Sequence, residues 1–174
     1  MNKNFKKSDK GFQKALNSWA ATALENMGVV REGVNNFEEI RNMVIAGWLK
    51  KYSETALRCF MMRKNYGSID KPDGFGRITG PCGDTMEFYI KVGLGKIKKI
   101  NFTTDGCESS VACGEMAADI LTGKSIASAM KIKKDDVLKK MGRFPSDSRH
   151  CALLSVNTAK AAIKDYREKK NDKG

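Results

Sequence analysis

The stretch Met86-Glu-Phe-Tyr-Ile-Lys-Val-Gly-Leu-Gly-Lys-Ile-Lys-Lys-Ile-Asn-Phe-Thr-Thr104 decides the fold. Met86, Phe88, Ile90 and Val92 alternate with Glu87, Tyr89 and Lys91, the period-two pattern of a strand buried on one face. Gly93-Leu-Gly95 supplies a tight reversal, and a further strand follows from Ile97 to Thr104 with Ile100 and Phe102 inward. Upstream, Arg77-Ile-Thr79 reads as a short strand after turn-forming residues at Asn65-Tyr-Gly67 and Asp70-Lys-Pro-Asp-Gly74. Three consecutive strands with short connections form an antiparallel meander.

Helical periods flank the meander. Before it, Phe12, Ala15, Leu16, Trp19, Ala20, Ala23, Leu24 and Met27 recur every three or four residues, ending at Gly28 with a loop to Asn35. Asn36 with Glu39 reads as a capping box opening a second helix that buries Phe37, Ile40, Val44 and Trp48. A third run (Tyr52, Ala56, Leu57, Phe60, Met61) follows, kinked at Gly47 or continuous with the second. After Gly106, Val111, Met116, Ala117, Ile120 and Leu121 share a helix face, closed by Gly123. Short helices are expected over Ile126–Met130 and Asp135–Met141, the second opened by paired aspartates. A last helix from Arg149 to about Tyr166 buries Leu153, Leu154, Val156, Ala159 and Ile163, and the tail beyond it is expected to fray. The fold class is therefore α+β: a three-stranded antiparallel sheet with helices on one side, preceded by a helical N-terminal extension over residues 1–50, with the main domain at 51–174.

Composition narrows the function. The chain has 174 residues, with 32 Lys+Arg against 20 Asp+Glu, or 32 − 20 = +12. An apolar fraction of 41% is enough for a packed core and argues against disorder. No uncharged apolar run is long enough to span a bilayer, so no membrane role is expected. The basic start at Met1 to Lys10 precedes a stretch broken by Asn17, Ser18 and Thr22, which makes a poor secretory signal. The five cysteines (Cys59, Cys82, Cys107, Cys113, Cys151) are odd in number and widely spaced. They read as reduced thiols in a cytoplasmic protein.

Three of those thiols occupy element boundaries. Cys82 lies in Gly80-Pro-Cys-Gly-Asp84, between the first two strands. Cys107 lies in Asp105-Gly-Cys-Glu108, where the last strand enters a helix, and Cys151 follows His150 at the start of the final helix. Helix N-termini favour thiolate over thiol, and the glycines let backbone approach closely. His150 is the sole histidine, and Asp84 stands two residues after Cys82. Three sulfurs, an imidazole and a carboxylate are metal-ligand types. With no C-x-x-C pair they suit a site assembled by the fold from separate loops, open to solvent. Cys59 and Cys113 read as packed helix cysteines.

These pieces resemble the iron–sulfur cluster scaffold family, IscU and the N-terminal domain of NifU. The matching segments are Tyr52-Ser-Glu54, Gly80-Pro-Cys-Gly-Asp-Thr-Met86, Thr104-Asp-Gly-Cys107, Gly123-Lys124, His150-Cys151 and Lys164-Asp-Tyr166. The resemblance implies that Cys82, Asp84, Cys107, His150 and Cys151 hold or border a [2Fe–2S] cluster (iron and sulfide). It also implies persulfide sulfur from a cysteine desulfurase, with Cys151 as acceptor, and delivery to apo iron–sulfur proteins. A cluster bridging two chains would make a homodimer. A harder oxygen or nitrogen donor at the fourth corner lets the cluster leave. The family's Leu-Pro-Pro-Val-Lys segment, read by an Hsp70-type chaperone, is replaced here by Phe144-Pro-Ser-Asp-Ser148, so the resemblance stops short of that partner.

Three other functions compete. A SufU-like sulfur relay would place zinc on the same cysteines and Asp84, but the insertion that marks those relatives between the second and third ligands is missing. Nucleic-acid binding is suggested by charge at Lys96, Lys98, Lys99, Lys131, Lys133, Lys134, Lys139, Lys140, Arg167, Lys169 and Lys170. No aromatic platform interleaves with these residues, and an acidic protein partner suits them better. A Cys–His hydrolase fails because adjacent residues at a helix start point apart and no second histidine exists.

Overall fold

In a computed structural model of the chain, residues 10–28 and 36–172 are described. The basic start over 1–9 and the expected loop over 29–35 lie outside them. Helices α1 (Lys10–Asn26), α2 (Phe37–Lys51) and α3 (Glu54–Met62) precede strands β1 (Gly74–Thr79), β2 (Thr85–Gly93) and β3 (Lys96–Thr104). Then come α4 (Glu108–Leu121), α5 (Ile126–Ala129), α6 (Lys134–Met141) and α7 (Arg149–Asn171).

The sheet has the expected meander order β1-β2-β3, antiparallel throughout. Leu94 and Gly95 turn the second hairpin with φ of 53° and 70°, the mirror-image turn that matches strand twist. The register slips between Lys91 and Val92, so that Lys99 faces Lys91 while Ile97 faces Val92. Lys98 is the extra residue, and this bulge allows Ile97 and Ile100, three apart, to be buried on one face. The opposite face is wet and polar. There the hydroxyls of Tyr89 and Thr103 donate to Glu87 Oε2 at 2.6 and 2.9 Å, and these bonds hold the Glu87 carboxyl below its usual range.

β1 starts earlier than the turn chemistry suggests, at Gly74. The reason is close packing: a Cβ at Gly74 would lie 2.3 Å from Ala162 O, and one at Gly76 would lie 2.4 Å from Ala162 N and 2.5 Å from Thr158 O. The glycines let the α7 backbone rest on β1. Asp165 ties the two together, accepting from Phe75 N at 2.8 Å. α7 also runs past Tyr166, to Asn171. Leu153, expected inward, is 45% exposed, because it shares the outer stripe of α7 with Asn157 and Lys164.

α4 is buried almost all round rather than on one face, since its Ala, Ser and Gly residues admit neighbours on several sides. A Cβ at Gly114 would sit 2.4 Å from the Phe102 ring.

The helical run before the sheet breaks at Ser53 and not at Gly47. Ser53 Oγ accepts from Ala56 N at 3.1 Å as the cap of α3, its hydroxyl donates to Met141 O, and its N–H donates to Arg143 O at 2.8 Å. Asn36 makes no such bond, because its φ of −124° and ψ of 29° are not the extended conformation a cap needs. The expected capping box with Glu39 is absent, and of the expected α2 face only Phe37 is fully buried. α1 packs on α3 through Phe12 and Leu16 against Leu57. Trp19 lies 3.9 Å from Trp48 and edge-on to Phe60 at 4.7 Å.

Candidate metal centre

The turn between β1 and β2 is built by its sequence. Gly83 N–H donates to Gly80 O at 3.0 Å and Gly80 N–H to Asp84 O at 2.8 Å, closing a three-residue loop over Pro81, Cys82 and Gly83. Pro81 fits the first corner, and Gly83 takes the left-handed position with φ of 90°. Cys82 therefore sits exposed at the tip, while Asp84 turns back toward the sheet.

Asp105 locks this loop to the strand–helix turn beside it. Its carboxylate accepts from Thr85 N at 2.6 Å, and Thr104 Oγ1 donates to Thr85 O at 2.7 Å. Gly106 then leaves space for Asp84, because a Cβ there would lie 2.3 Å from Asp84 Oδ2. Cys107 caps α4 with extended backbone, and its side chain makes no cap bond.

The ligand atoms of Asp84, Cys107 and Cys151 lie within 4.8 Å of one another. Among the described residues this is the one such gathering of three His, Cys, Asp or Glu side chains. Tetrahedral donors at bond lengths of about 2.0–2.3 Å stand roughly 3.3–3.8 Å apart, so a small contraction would close the group on a cation. Ser110, buried in the first turn of α4, joins two of the three. Its hydroxyl donates to Asp84 Oδ2 at 2.6 Å, and its oxygen is 3.3 Å from Cys151 Sγ.

His150 and Cys82 border this trio. His150 Nδ1 donates to Asp147 O at 2.7 Å, and its Nε2 faces Cys151 Sγ at 3.5 Å. Cys82 stands outside the tight group, but it is near enough for its charge to bear on Cys151. The site is thus half open. Cys82, Cys107 and His150 are exposed, whereas Cys151 is 1% exposed. Burial pushes the Cys151 thiol up to about 11, Ser110 opposes this, and Cys107, Cys82 and Asp84 add to it. The helix N-terminus does not make Cys151 a free thiolate, because desolvation outweighs the dipole. Cys59 and Cys113 are core residues with thiols also raised by burial.

Three residues that hold the site together carry no metal-ligand signature in the sequence: Ser110, Asp105 and Asp147. The available signal for Ser110 was its place three residues after Cys107, on the neighbouring part of the helix surface.

Comparison with known proteins adds a second line of support. A family model described as "NifU-like N terminal domain" matches residues 51–173. The chain is 38% identical over 116 residues to the iron-sulfur cluster assembly scaffold protein IscU 1 of Archaeoglobus fulgidus, covering 66% of this chain and 76% of that one. It is 39% identical over 127 residues to the iron-sulfur cluster assembly enzyme IscU of Drosophila melanogaster, covering 70% and 82%. The crystal structure of an N-terminal NifU-like protein from Brucella abortus has the same fold. Its TM-score is 0.55 at 19% identity, over 68% of this chain and 96% of that one. With most of its length matched, from the end of α2 to the end of α7, the chain belongs to the NifU-like N-terminal domain family.

Proposed function

We infer that this chain is an iron–sulfur cluster assembly scaffold that binds a cluster as cargo and hands it on. The observation that carries the reading is the approach of Asp84, Cys107 and Cys151 within 4.8 Å, at the ends of three different elements. The curated relatives reported above are named IscU, which favours this role over the SufU-like zinc relay.

In finer terms, we propose that the cargo is a [2Fe–2S] cluster held by Cys82, Cys107 and Cys151, with Asp84 or His150 at the fourth corner. Zinc suits the same donors and would compete for them. Cys82 reaches the group by folding its exposed turn inward. Thiolates hold iron firmly, and the harder carboxylate gives way first, which suits a site that must empty. Sulfur would come from a cysteine desulfurase. The Cys151 thiolate attacks the outer sulfur of the donor persulfide, the donor's S–S bond breaks, and the donor leaves as thiolate. Because Cys151 is buried and protonated in the free protein, this step needs the sulfur to be uncovered and a proton to leave.

Apo iron–sulfur proteins are the proposed recipients, in the cytoplasm, with a homodimer when a cluster is shared. The exposed Lys96, Lys98, Lys99, Lys131, Lys133, Lys134, Lys139 and Lys140 suit an acidic protein partner rather than nucleic acid. An Hsp70-type chaperone is left out, since Phe144-Pro-Ser-Asp-Ser148 stands where the segment such a chaperone reads would lie. Among the described residues no helix is long and apolar enough to cross a membrane. We assign residues 1–50 as an extension and 51–174 as the scaffold domain, a division consistent with the start of the family match.

The test is transfer. Loaded anaerobically and mixed with an apo-ferredoxin, the protein is expected to lose its cluster to the acceptor, and Asp84→Ala is expected to retain it longer. A cluster that never transfers would overturn the scaffold role, and faster loss from Asp84→Ala would overturn the role given to Asp84.

A further inference from the structure

Among the described residues Ser110 is the one hydroxyl that bridges two of the gathered ligand side chains, and its surroundings show a seat built for that contact. Its side chain is fully buried. One O–H carries one proton, which Ser110 shares between the shorter bond to Asp84 Oδ2 at 2.6 Å and the longer one to Cys151 Sγ at 3.3 Å. Other helical hydroxyls among the described residues turn back onto their own helix, although the neighbouring Ser109 meets the Tyr52 hydroxyl at 3.3 Å. Thr122 Oγ1 donates to Ala118 O at 2.9 Å and Thr158 Oγ1 to Leu154 O at 2.8 Å. Ser110 instead points out of α4 into the site. The seat has a second wall: a Cβ at Gly106 would lie 2.7 Å from Ser110 Oγ as well as 2.3 Å from Asp84 Oδ2.

We propose that Ser110 is a positioning residue for the cargo site, acting through Asp84. By occupying Oδ2 it fixes the turn of the carboxylate and leaves Oδ1 as the single oxygen donor, so that Asp84 binds through one bond. The proposal rests on Asp84, Cys107 and Cys151 holding the cargo metal, and it goes further by naming the group that sets the geometry of the oxygen ligand. Outer partners of this kind govern metal affinity by about 10- to 100-fold when removed.

Anaerobic Co²⁺ titration of the full chain, read by thiolate-to-metal charge-transfer and d–d absorption, separates the possibilities. Wild type, Ser110→Ala, Asp84→Ala and the double variant form a cycle, and alanine is small and helix-favouring, so α4 is kept. Ser110→Ala is expected to weaken Co²⁺ binding about 10-fold and to move the d–d bands toward those of Asp84→Ala. In the Asp84→Ala background the same change is expected to do nothing further. Equal weakening in both backgrounds, or no weakening in either, overturns the role of Ser110 while leaving the site intact. Failure of wild type to develop thiolate–Co²⁺ absorption would remove the site itself, and with it the proposal.

Discussion

Asp84 reaches the thiols because residue 106 has no side chain, and the Gly106 clearance of 2.3 Å makes the dependence testable. Gly106→Ala is expected to displace the carboxylate and weaken Co²⁺ binding as Asp84→Ala does, at a stability cost of about 1–3 kcal/mol in urea unfolding. Unchanged binding would show that Asp84 does not need this seat. Cys151 gives a second residue-scale test. Its thiol is buried and raised to about 11, while Cys82 and Cys107 are exposed. Alkylation of the metal-free protein at neutral pH, mapped by mass spectrometry, should mark Cys82 and Cys107 and spare Cys151, which becomes reactive only as pH approaches that value. Early labelling of Cys151 would contradict its burial. The sequence made the positions of these thiols readable, because turn residues and helix starts advertise element ends. It could not reveal the burial of Cys151, which depends on how α7 lies over the sheet, nor the bridging by Ser110, since a first-turn serine reads as ordinary helix chemistry.

At the scale of elements, α7 matters most, because it lies on β1 and presents His150 and Cys151 at its start. Gly76→Ala would put a methyl 2.4 Å from Ala162 N and 2.5 Å from Thr158 O, and lifting α7 is expected to cost about 1–3 kcal/mol or more. Metal affinity should fall with it, and a variant as stable as wild type would mean that α7 does not pack on β1 this closely. α4 offers a test by pH. Glu115 is buried there, accepting from Asn65 N at 3.0 Å and Asn65 Nδ2 at 2.9 Å. Burial, which outweighs these bonds, raises its carboxyl above the ordinary 4.5. A raised native pKa means that the protonated form is favoured, so the contribution is complete below 4.5 and is lost as pH rises through the native value. The urea midpoint of Glu115→Gln relative to wild type is therefore expected to be higher at about pH 8 than at about pH 4, and a constant difference would contradict the assignment. β2 was legible from alternation alone. The bulge at Lys98 was not, since one lysine more or less leaves the pattern unchanged, and β1 began early because Gly74 and Gly76 look like turn residues when the helix above them is unknown.

For the whole molecule, the segments that carried the resemblance divide into two kinds. Cys82, Asp84, Cys107, His150 and Cys151 face or border the site, whereas several of the others are ties. Ser53 binds α3 to the loop after α6, and Gly123 and Lys124 bond both ways with Ile97 at 2.8 and 2.9 Å. The helical extension was readable as helices, but its seat on α3 was not, because partners distant in sequence leave no periodic trace. Leu16, wholly buried between α1 and α3, tests that seat. Leu16→Ala is expected to cost about 2–5 kcal/mol in global unfolding while leaving Co²⁺ affinity unchanged. A negligible cost would mean that α1 opens independently of the sheet and its helices. The claim on which all of this depends is that one scaffold site holds iron and sulfide together. Anaerobic assembly followed by iron and acid-labile sulfide analysis tests it most directly, in wild type and in Cys82→Ala, Cys107→Ala and Cys151→Ala. Iron and sulfide in equal amounts with visible charge-transfer bands, lost in each variant, is the expected result. Iron bound without sulfide, or a full complement in all three variants, would contradict it.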